Sequence, residues 1–296
     1  MEIRTLRYFV AVAREENMTK AALQLHVTQP TLSKALKSLE DELGKKLFVR
    51  RSFNIRLTGE GVLLQKKAVD LLNMADQILS EFRNMDDITG GEVYFGMAES
   101  YQIRHLARII RDFVKMYPSF RYHITSGDME QVTEKLNKGL LDFAVLVNTP
   151  NSTDYDFLRI PETNRWCLIM PANDPLAKKE SITFSDVLGL PLFVSEQSIQ
   201  FDLPKWCGNR AAELTIKGRY RLAYNSSIFT KEGLGYLLAL EHLIDTGPQS
   251  GLIFRPLFPT LESSLYIIWR KHQVLSPIAQ RFQMAAAQYC SQFNSH

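Results

Sequence analysis

Cysteine is scarce in this chain of 296 residues, which contains three. Cys167, Cys207 and Cys290 stand far apart and are odd in number, so they form neither the close pairs of a zinc site nor an even disulfide framework. Cysteine use of this kind is typical of proteins in a reducing compartment. We therefore expect a cytoplasmic protein without disulfides.

Long apolar runs are also lacking. No stretch reaches the roughly 18 apolar residues that a membrane-spanning helix needs. The N-terminal segment is amphipathic, carries Glu2, Glu15 and Glu16, and has no apolar core or small-residue cleavage site of a signal peptide. We expect no membrane partner.

The short motifs that usually mark an enzyme are missing. The chain has no G-x-S-x-G, H-E-x-x-H, Walker A loop or G-x-G-x-x-G loop. Its six histidines are scattered without ligand spacing, and a surface or turn position is the simpler explanation for each of them. We expect no catalytic residue, no metal and no cofactor, and therefore not an enzyme.

Positive charge, in contrast, is concentrated at one end. Residues 1–58 hold eleven Lys and Arg against six Asp and Glu, a net charge of +5, which leaves −2 for the rest of this chain of net charge +3. Such asymmetry indicates that the N-terminal part meets a polyanion.

The basic segment begins with two predicted helices. Apolar spacing predicts a helix over residues 3–14 and a short one over 19–25, which Asn17 or Thr19 can cap. The alanines of the short helix permit close approach of another helix.

A third helix follows almost at once. Thr28 is a good N-cap, Pro30 falls in the first turn, and Gly44 can end the helix. Its apolar face carries Leu32, Leu36, Leu39 and Leu43, and its opposite face carries Pro30, Thr31, Lys34, Lys37 and Ser38. A short polar and basic face suits a helix that enters the DNA major groove, although an ordinary solvated face is the alternative.

Two further elements complete the N-terminal part. Apolar runs at 47–49 and 55–57 flank a basic segment, which predicts a β-hairpin, or wing, with a basic tip. A long helix is then predicted from Thr58 to about Met85, with a near-heptad seam of Leu64, Ala68, Leu71, Ala75, Ile78, Phe82 and Met85. A second copy of this helix is the simple partner, and the alternative is packing on the chain's own C-terminal domain.

Beyond a predicted linker at 86–91, strands and helices alternate, which is typical of an α/β domain. The predicted strands are 93–97, 121–125, 143–147, 166–170, 192–194, 220–223 and 265–269. The predicted helices are 104–115, 129–137 and 277–292. Two lobes are expected, with crossings near 160–163 and 264–268.

These residues together resemble the LysR-type transcriptional regulators over the whole chain. The most specific part runs from residue 6 to 61 and contains LRYFVAVA, TKAALQLHVTQPTLSKALKSLEDELGKKLF and RLTGEG in this order. The C-terminal half adds GLLDFAVL, KEGLG and SPIAQRF. Thr31 departs from the family pattern, where alanine is usual, and Leu240 stands where proline is often found.

The resemblance implies an α/β protein with three parts. These are a winged helix-turn-helix DNA-binding domain at 1–58, a linker and dimerisation helix at 59–88, and an effector domain at 91–296 like type 2 periplasmic binding proteins. The two lobes of that domain are expected at about 91–161 plus 268–296 and at 162–267. A bacterial homodimer, or a homotetramer built from two dimers, is implied, with an operator in double-stranded DNA and RNA polymerase as a candidate partner.

The candidate DNA-binding residues lie on the third helix and the wing. They are Thr28, Gln29, Pro30, Thr31, Ser33, Lys34, Lys37, Arg50, Arg51 and Arg56. Gln29 can bond an adenine edge, Lys34 can reach guanine acceptors, and the wing arginines can reach phosphates or a minor groove. The candidate dimerisation residues are Leu64, Leu71, Ile78 and Phe82.

The candidate effector site is built from polar residues where strands end and helices begin. Open α/β sheets bind ligands in the crevice at such ends, where backbone N–H groups favour anions. The residues are Ser100, Tyr101, Thr125, Ser126, Ser195, Asn225 and Ser226. We expect a small anionic metabolite. The alternatives are that these serines only cap helices and that the domain oligomerises without a ligand.

Overall fold

The computed structural model describes residues 1–50, 55–83, 89–148 and 153–293, with Arg50 and Glu81 described by their backbone alone. These residues divide into two compact units, Met1–Arg83 and the rest of the chain. Each unit has its own hydrophobic core. No helix in the described part is long and apolar enough to cross a membrane.

The first unit contains four helices and one hairpin. Its elements are α1 (Ile3–Glu15), α2 (Met18–Gln24), α3 (Gln29–Leu43), β1 (Phe48–Arg50), β2 (Ile55–Leu57) and α4 (Gly59–Arg83). This order confirms the predicted helices and hairpin, because caps and apolar spacing are local signals. The predicted basic tip at 51–54 and the seam residue Met85 lie outside the described residues.

The core of this unit joins α3 to the first two helices. Leu32, Leu36 and Leu39 are at most 3% exposed. Ala21 and Ala22 of α2 are equally buried, and their small side chains let α3 approach closely. The apolar face predicted for α3 is therefore packed at three of its four leucines, which leaves the polar face outward. The fourth, Leu43 at the end of the helix, is 40% exposed.

The second unit is an α/β domain of two lobes. The first lobe is built from β3 (Gly90–Met97), α5 (Ile103–Met116), β4 (Ser119–Ser126), α6 (Met129–Asn137), β5 (Phe143–Val147), β12 (Glu262–Arg270) and α11 (Pro277–Ser291). The second is built from β7 (Ile182–Thr183), α7 (Phe184–Val187), β8 (Leu192–Ser195), α8 (Glu196–Phe201), α9 (Leu203–Cys207), β9 (Ile216–Tyr220), α10 (Ala223–Lys231), β10 (Tyr236–Leu240) and β11 (Leu252–Phe258). Two 3-10 turns, Pro175–Lys178 and Gly208–Glu213, also belong to it.

One long strand, β6 (Tyr155–Pro171), runs through both lobes. It pairs with β12 as far as Arg165 and with β10 from Trp166 onward, so the partners exchange at that point. The strand order is β4-β3-β5-β12-β6-β10-β8-β9, with parallel pairs inside each lobe and antiparallel pairs around β6 and β12. Because β12 pairs with β5 from Leu265 to Ile268, those residues lie in the first lobe.

One predicted strand was wrong. The segment predicted as a strand at 220–223 is the end of β9 at Tyr220 and the start of α10 at Ala223. Strand β9 was not predicted from its start at Ile216 because it contains Gly218, and glycine is unfavourable inside strands. Here glycine is required, because a Cβ on Gly218 would lie 2.6 Å from the ring of Phe193 in β8.

The predicted linker ends earlier than expected. Gly90 and Gly91 begin β3 and are buried, and residues 86–88 lie outside the described part. A Cβ on Gly91 would lie 2.6 Å from the Ile278 side chain, and the backbone of Gly91 has a φ of +139°. Close packing and this backbone conformation require the glycine, and a flexible linker does not.

Candidate functional site

The polar face of α3 is presented by a well-capped helix. The Thr28 hydroxyl accepts a hydrogen bond from the Thr31 N–H at 3.4 Å and lies 2.8 Å from the Thr31 hydroxyl. Pro30 lies in the first turn and Gly44 ends the helix with φ 63°. Thr31, which stands where alanine is usual in the family that the sequence resembles, therefore adds a hydroxyl contact to the helix cap.

Most candidate base-reading residues are exposed on this helix start. The exposed ones are Thr28, Gln29, Pro30, Thr31, Lys34 and Lys37, whereas Ser33 is half-buried. They are brought together within about two and a half helical turns, since about 3.6 residues make one turn. The arrangement can offer amide, hydroxyl and ammonium groups to the edges of bases.

The wing is fastened to the helices beside α3. The Ile55 N–H donates to the Glu16 carbonyl at 3.0 Å, and the rings of Phe9 and Phe48 lie 5.3 Å apart. Arg56 is exposed on β2. The side chain of Arg50 and the whole of Arg51 lie outside the described residues.

Glu40 connects α3 to the wing. Its carboxylate accepts hydrogen bonds from the backbone N–H groups of Leu47 at 2.8 Å and Phe48 at 3.3 Å, and from the Lys46 ammonium at 2.8 Å. Burial acts to raise the pKa of Glu40, but these donors outweigh it and hold the pKa below its ordinary value. Sequence patterns did not single out Glu40, because its donors are set by the fold.

Replacement of Glu40 by alanine should loosen the wing. We expect a loss of about 1–2 kcal/mol in the free energy of unfolding at pH 7, because two backbone N–H groups lose a charged acceptor. Since the folded pKa is lowered, this contribution is full above the ordinary pKa of an unfolded glutamate and disappears as the pH falls through the folded value. Urea unfolding of the wild type and Glu40→Ala at several pH values measures it.

Asp41→Ala is the matched control, because Asp41 is the next residue on α3 and is exposed. A loss for Asp41→Ala equal to that for Glu40→Ala, or a Glu40 effect that stays constant down to pH 3, would contradict the role given to Glu40.

The apolar seam of the long helix α4 is only partly buried. Ala68 and Leu72 belong to the buried core of the first unit, and Leu64 packs partly against the same core. Leu71, Ile78 and Phe82 are 47%, 49% and 68% exposed. The predicted seam is therefore divided, with Leu64 partly used inside the unit and the other three candidate residues facing outward.

A cleft lies between the two lobes of the second unit. It encloses a cavity of about 60 Å³, lined from the first lobe by Glu99 and Asp128 and from the second by Ser195, Gln197 and Arg221. Of the candidate effector residues, Ser195 lines this cavity. Its hydroxyl also accepts a hydrogen bond from the Ser198 N–H at 3.1 Å, as the capping alternative predicted.

Several hydrogen bonds bridge this cleft. The Ala223 N–H donates to the Glu99 carboxylate at 2.8 Å, and the Gln197 amide donates to the Val147 carbonyl at 2.7 Å. Arg221 lies 3.0 Å from the Asp128 carboxylate. The lobes are thus held closely together by groups of the chain itself.

Ser100 belongs to a buried network at the crossing strands. Its hydroxyl donates to the Asn164 side chain at 2.6 Å, and Asn164 donates to the Ser263 carbonyl at 3.2 Å. The Ser263 hydroxyl donates to Asp202 at 2.6 Å and accepts from the Trp166 ring at 2.9 Å. Ser100 therefore helps to orient β6, which carries Asn164, and β12, which carries Ser263, and it does not line the cavity.

Tyr101 lines a different hollow, of about 200 Å³, beside the middle of strand β6. Its ring lies 5.0 Å from that of His242 in the second lobe, and the Arg104 guanidinium lies 4.7 Å above it. Arg165 and Glu241 complete an ion pair at 3.2 Å beside this hollow. The charges here are paired.

The four remaining candidate effector residues do not line the cavity. Thr125 and Ser126 are the last two residues of strand β4, and Ser126 is exposed. Asn225 and Ser226 lie within α10 and line an outer groove of about 560 Å³ with Phe193. Their displacement follows from the misplaced strand, because α10 starts two residues before Asn225.

Sequence patterns missed the charged residues of the cavity and one glutamine. They are Glu99, Asp128, Glu196, Gln197, Asp202 and Arg221. Glu99, Glu196 and Gln197 lie within two residues of the candidates Ser100 and Ser195, and Asp128 lies two residues after Ser126. Their region was therefore predictable from the sequence, but their roles were not. Hydroxyl and backbone N–H groups at strand ends indicate an anion site, whereas the carboxylates beside them do not.

The described histidines lie in turns, on a strand surface and in the core, and His123 is the exposed one on β4. His26, His242 and His272 have φ near 60°, as expected for turns. His105 is fully buried on α5, with Nδ1 at 2.9 Å from the Tyr289 hydroxyl, so the surface or turn assignment was wrong for it. Burial lowers the pKa of His105. Among the described residues no group of three or more His, Cys, Asp or Glu side chains is placed to hold a metal ion.

Comparison with protein families gives two matches. Residues 3–62 match the bacterial regulatory helix-turn-helix proteins of the lysR family. Residues 87–291 match the LysR substrate binding domain. Together the two matches cover most of the chain and leave residues 63–86, which include most of α4, between them.

Individual relatives and solved structures agree with these matches. The transcriptional regulator YbhD of Escherichia coli (strain K12) is 27% identical over 95% of this chain and 89% of its own length. The Hca operon transcriptional activator HcaR of the same strain is 27% identical over 93% of each chain. The full-length regulator CbnR in complex with its target DNA covers 98% of this chain and 100% of its own, with a TM-score of 0.76 at 20% identity, which supports the fold alone.

Proposed function

Because this chain belongs to the LysR family of bacterial helix-turn-helix transcriptional regulators, we propose that it binds an operator as a dimer or tetramer and responds to a small molecule in the cleft. The observation that carries the proposal is the exposed polar start of α3 on a tightly packed winged helix-turn-helix. Such a surface reads base edges when it enters a major groove. RNA polymerase as a further partner stays a prediction.

We infer the following division of the DNA contacts. Gln29, Lys34 and Lys37 would read bases together with Pro30, Thr31 and Ser33, while Thr28 would approach a phosphate. Arg56 and the wing arginines Arg50 and Arg51 would bind phosphates or the minor groove. The family resemblance suggests an imperfect palindrome with a T-N11-A core.

Footprinting of purified protein on genomic DNA fragments, with and without cell extract, tests the proposal. We expect a small set of protected palindromes whose protection changes with the extract. Uniform retention of all fragments, with no protected sequence in common, would exclude an operator-binding regulator.

Arg56→Ala should weaken binding to specific and random DNA alike. Arg56 is exposed on the wing, and a phosphate contact releases about one counterion when it forms. We expect the slope of log affinity against log salt concentration to become shallower by up to about one unit. Titration of both DNAs over a salt series measures it. A loss confined to the specific operator would instead make Arg56 a base-reading residue.

Self-association is proposed to use the outward stripe of α4. Leu71, Ile78 and Phe82 are large, apolar and about half or more exposed. Exposed apolar stripes of this kind mark association sites. A second copy of α4 would cover the stripe and set the spacing of two recognition helices.

The effector function is proposed for the cleft. Two lobes joined by crossing strands can open and close, and a ligand that prefers one state shifts the equilibrium between them. A second candidate is a domain that oligomerises without a ligand, and the observations behind it are the small cavity and the hydrogen bonds that already bridge the lobes. Thermal shift measurements with metabolite pools distinguish the two, because ligand binding alone raises the unfolding midpoint.

A further inference from the structure

Helix α10 begins in an unusual way. Its N-cap residue is Leu222, whose side chain accepts no hydrogen bond. The Ala223 N–H at its start donates instead to the Glu99 carboxylate, at 2.8 Å. Glu99 follows β3 in the first lobe, so one lobe caps a helix of the other lobe across the cleft.

The position that Glu99 occupies is the one that an anionic ligand would prefer. A helix N-terminus carries partial positive charge and free N–H groups, and carboxylates bind there. The nearby cation is also engaged, since Arg221 lies 3.0 Å from Asp128 and 3.9 Å from Glu130. Both attractive features of this part of the cavity are therefore already matched by carboxylates of the first lobe.

The other charged groups of the cavity also disfavour an anionic ligand. Its lining carries four carboxylates, those of Glu99, Asp128, Glu196 and Asp202, against the single guanidinium of Arg221. An added anion would meet like charges at close range and would have to displace Glu99 from Ala223. A neutral or positively charged group meets no such cost.

We propose that Glu99 is a specificity-determining residue, a built-in carboxylate that fills the anion position of the cleft and selects a neutral or cationic effector. The proposal rests on the cleft being the effector site. It differs from the anionic effector expected from the sequence, because that expectation counted free N–H groups which the folded chain has already paired.

Acetate is a direct probe, since it carries the carboxylate that Glu99→Ala removes. Thermal unfolding of the full-length protein is measured in sodium acetate and in sodium chloride of equal ionic strength. We expect acetate to raise the midpoint of Glu99→Ala by about 2–4 °C over chloride and to leave the wild type unchanged. Glu196→Ala is the matched control, because Glu196 also lines the cavity but its carboxylate lies near Arg219, at 3.7 Å. It should behave like the wild type.

Three outcomes would overturn the proposal. They are a saturable acetate effect on the wild type, an equal effect on Glu196→Ala, and no effect on folded Glu99→Ala. The wild-type measurement keeps the proposal testable if Glu99→Ala does not fold. Because this readout involves no DNA, failure of the footprinting experiment and failure of the acetate experiment are separate results.

Discussion

Leu71→Asp should turn the protein into a monomer and reduce operator affinity by more than a hundredfold. Leu71 is 47% exposed on α4 and lies outside the core that Ala68 and Leu72 form with α1, so the first unit should stay folded. In a dimer the aspartate would be buried without a partner, which costs about 3–5 kcal/mol. A monomer holds one recognition helix and loses the second half-site.

Light scattering and operator titration measure this effect. Val69→Asp is the matched control, because Val69 is also exposed but lies about 200° around the helix from Leu71 at 100° per residue. It should keep the wild-type mass. Wild-type mass and affinity for Leu71→Asp would mean that the stripe is covered by something other than a second α4.

Gln29→Ala should cost about 1–3 kcal/mol in specific binding and relax the preference at one base pair. Gln29 is the first residue of α3 and is exposed, and a Gln amide can both donate to and accept from an adenine edge. Binding to random DNA should remain unchanged, since that binding depends on phosphate contacts.

Competition titrations with the operator, with single-base variants and with random DNA measure this change. Gln24→Ala removes the same exposed side chain from the end of α2 and serves as the control. Equal losses on operator and random DNA for Gln29→Ala would remove Gln29 from the base-reading set and leave it a general contact.

The two units differ in how far their sites followed from the sequence. In the first, the exposed start of α3 was predictable, because Thr28, Pro30 and Gly44 act through neighbouring residues and the leucine spacing shows which face is packed. In the second, all three of Ser195, Asn225 and Ser226 were predicted to line the cleft, and only Ser195 lines the cavity. Asn225 and Ser226 lie elsewhere because β9 ends earlier than predicted.

Helix limits, the hairpin and the alternation of strands and helices depend on interactions within a few residues, and these could be predicted from the order of the amino acids. The partners of Glu40, Glu99 and Ser100 could not. Glu99 caps a helix that starts 124 residues later, and Ser100 bonds Asn164 across 64 residues. A carboxylate or a hydroxyl can bond many different groups. Its partner is decided only when the fold brings one of these groups within hydrogen-bond distance.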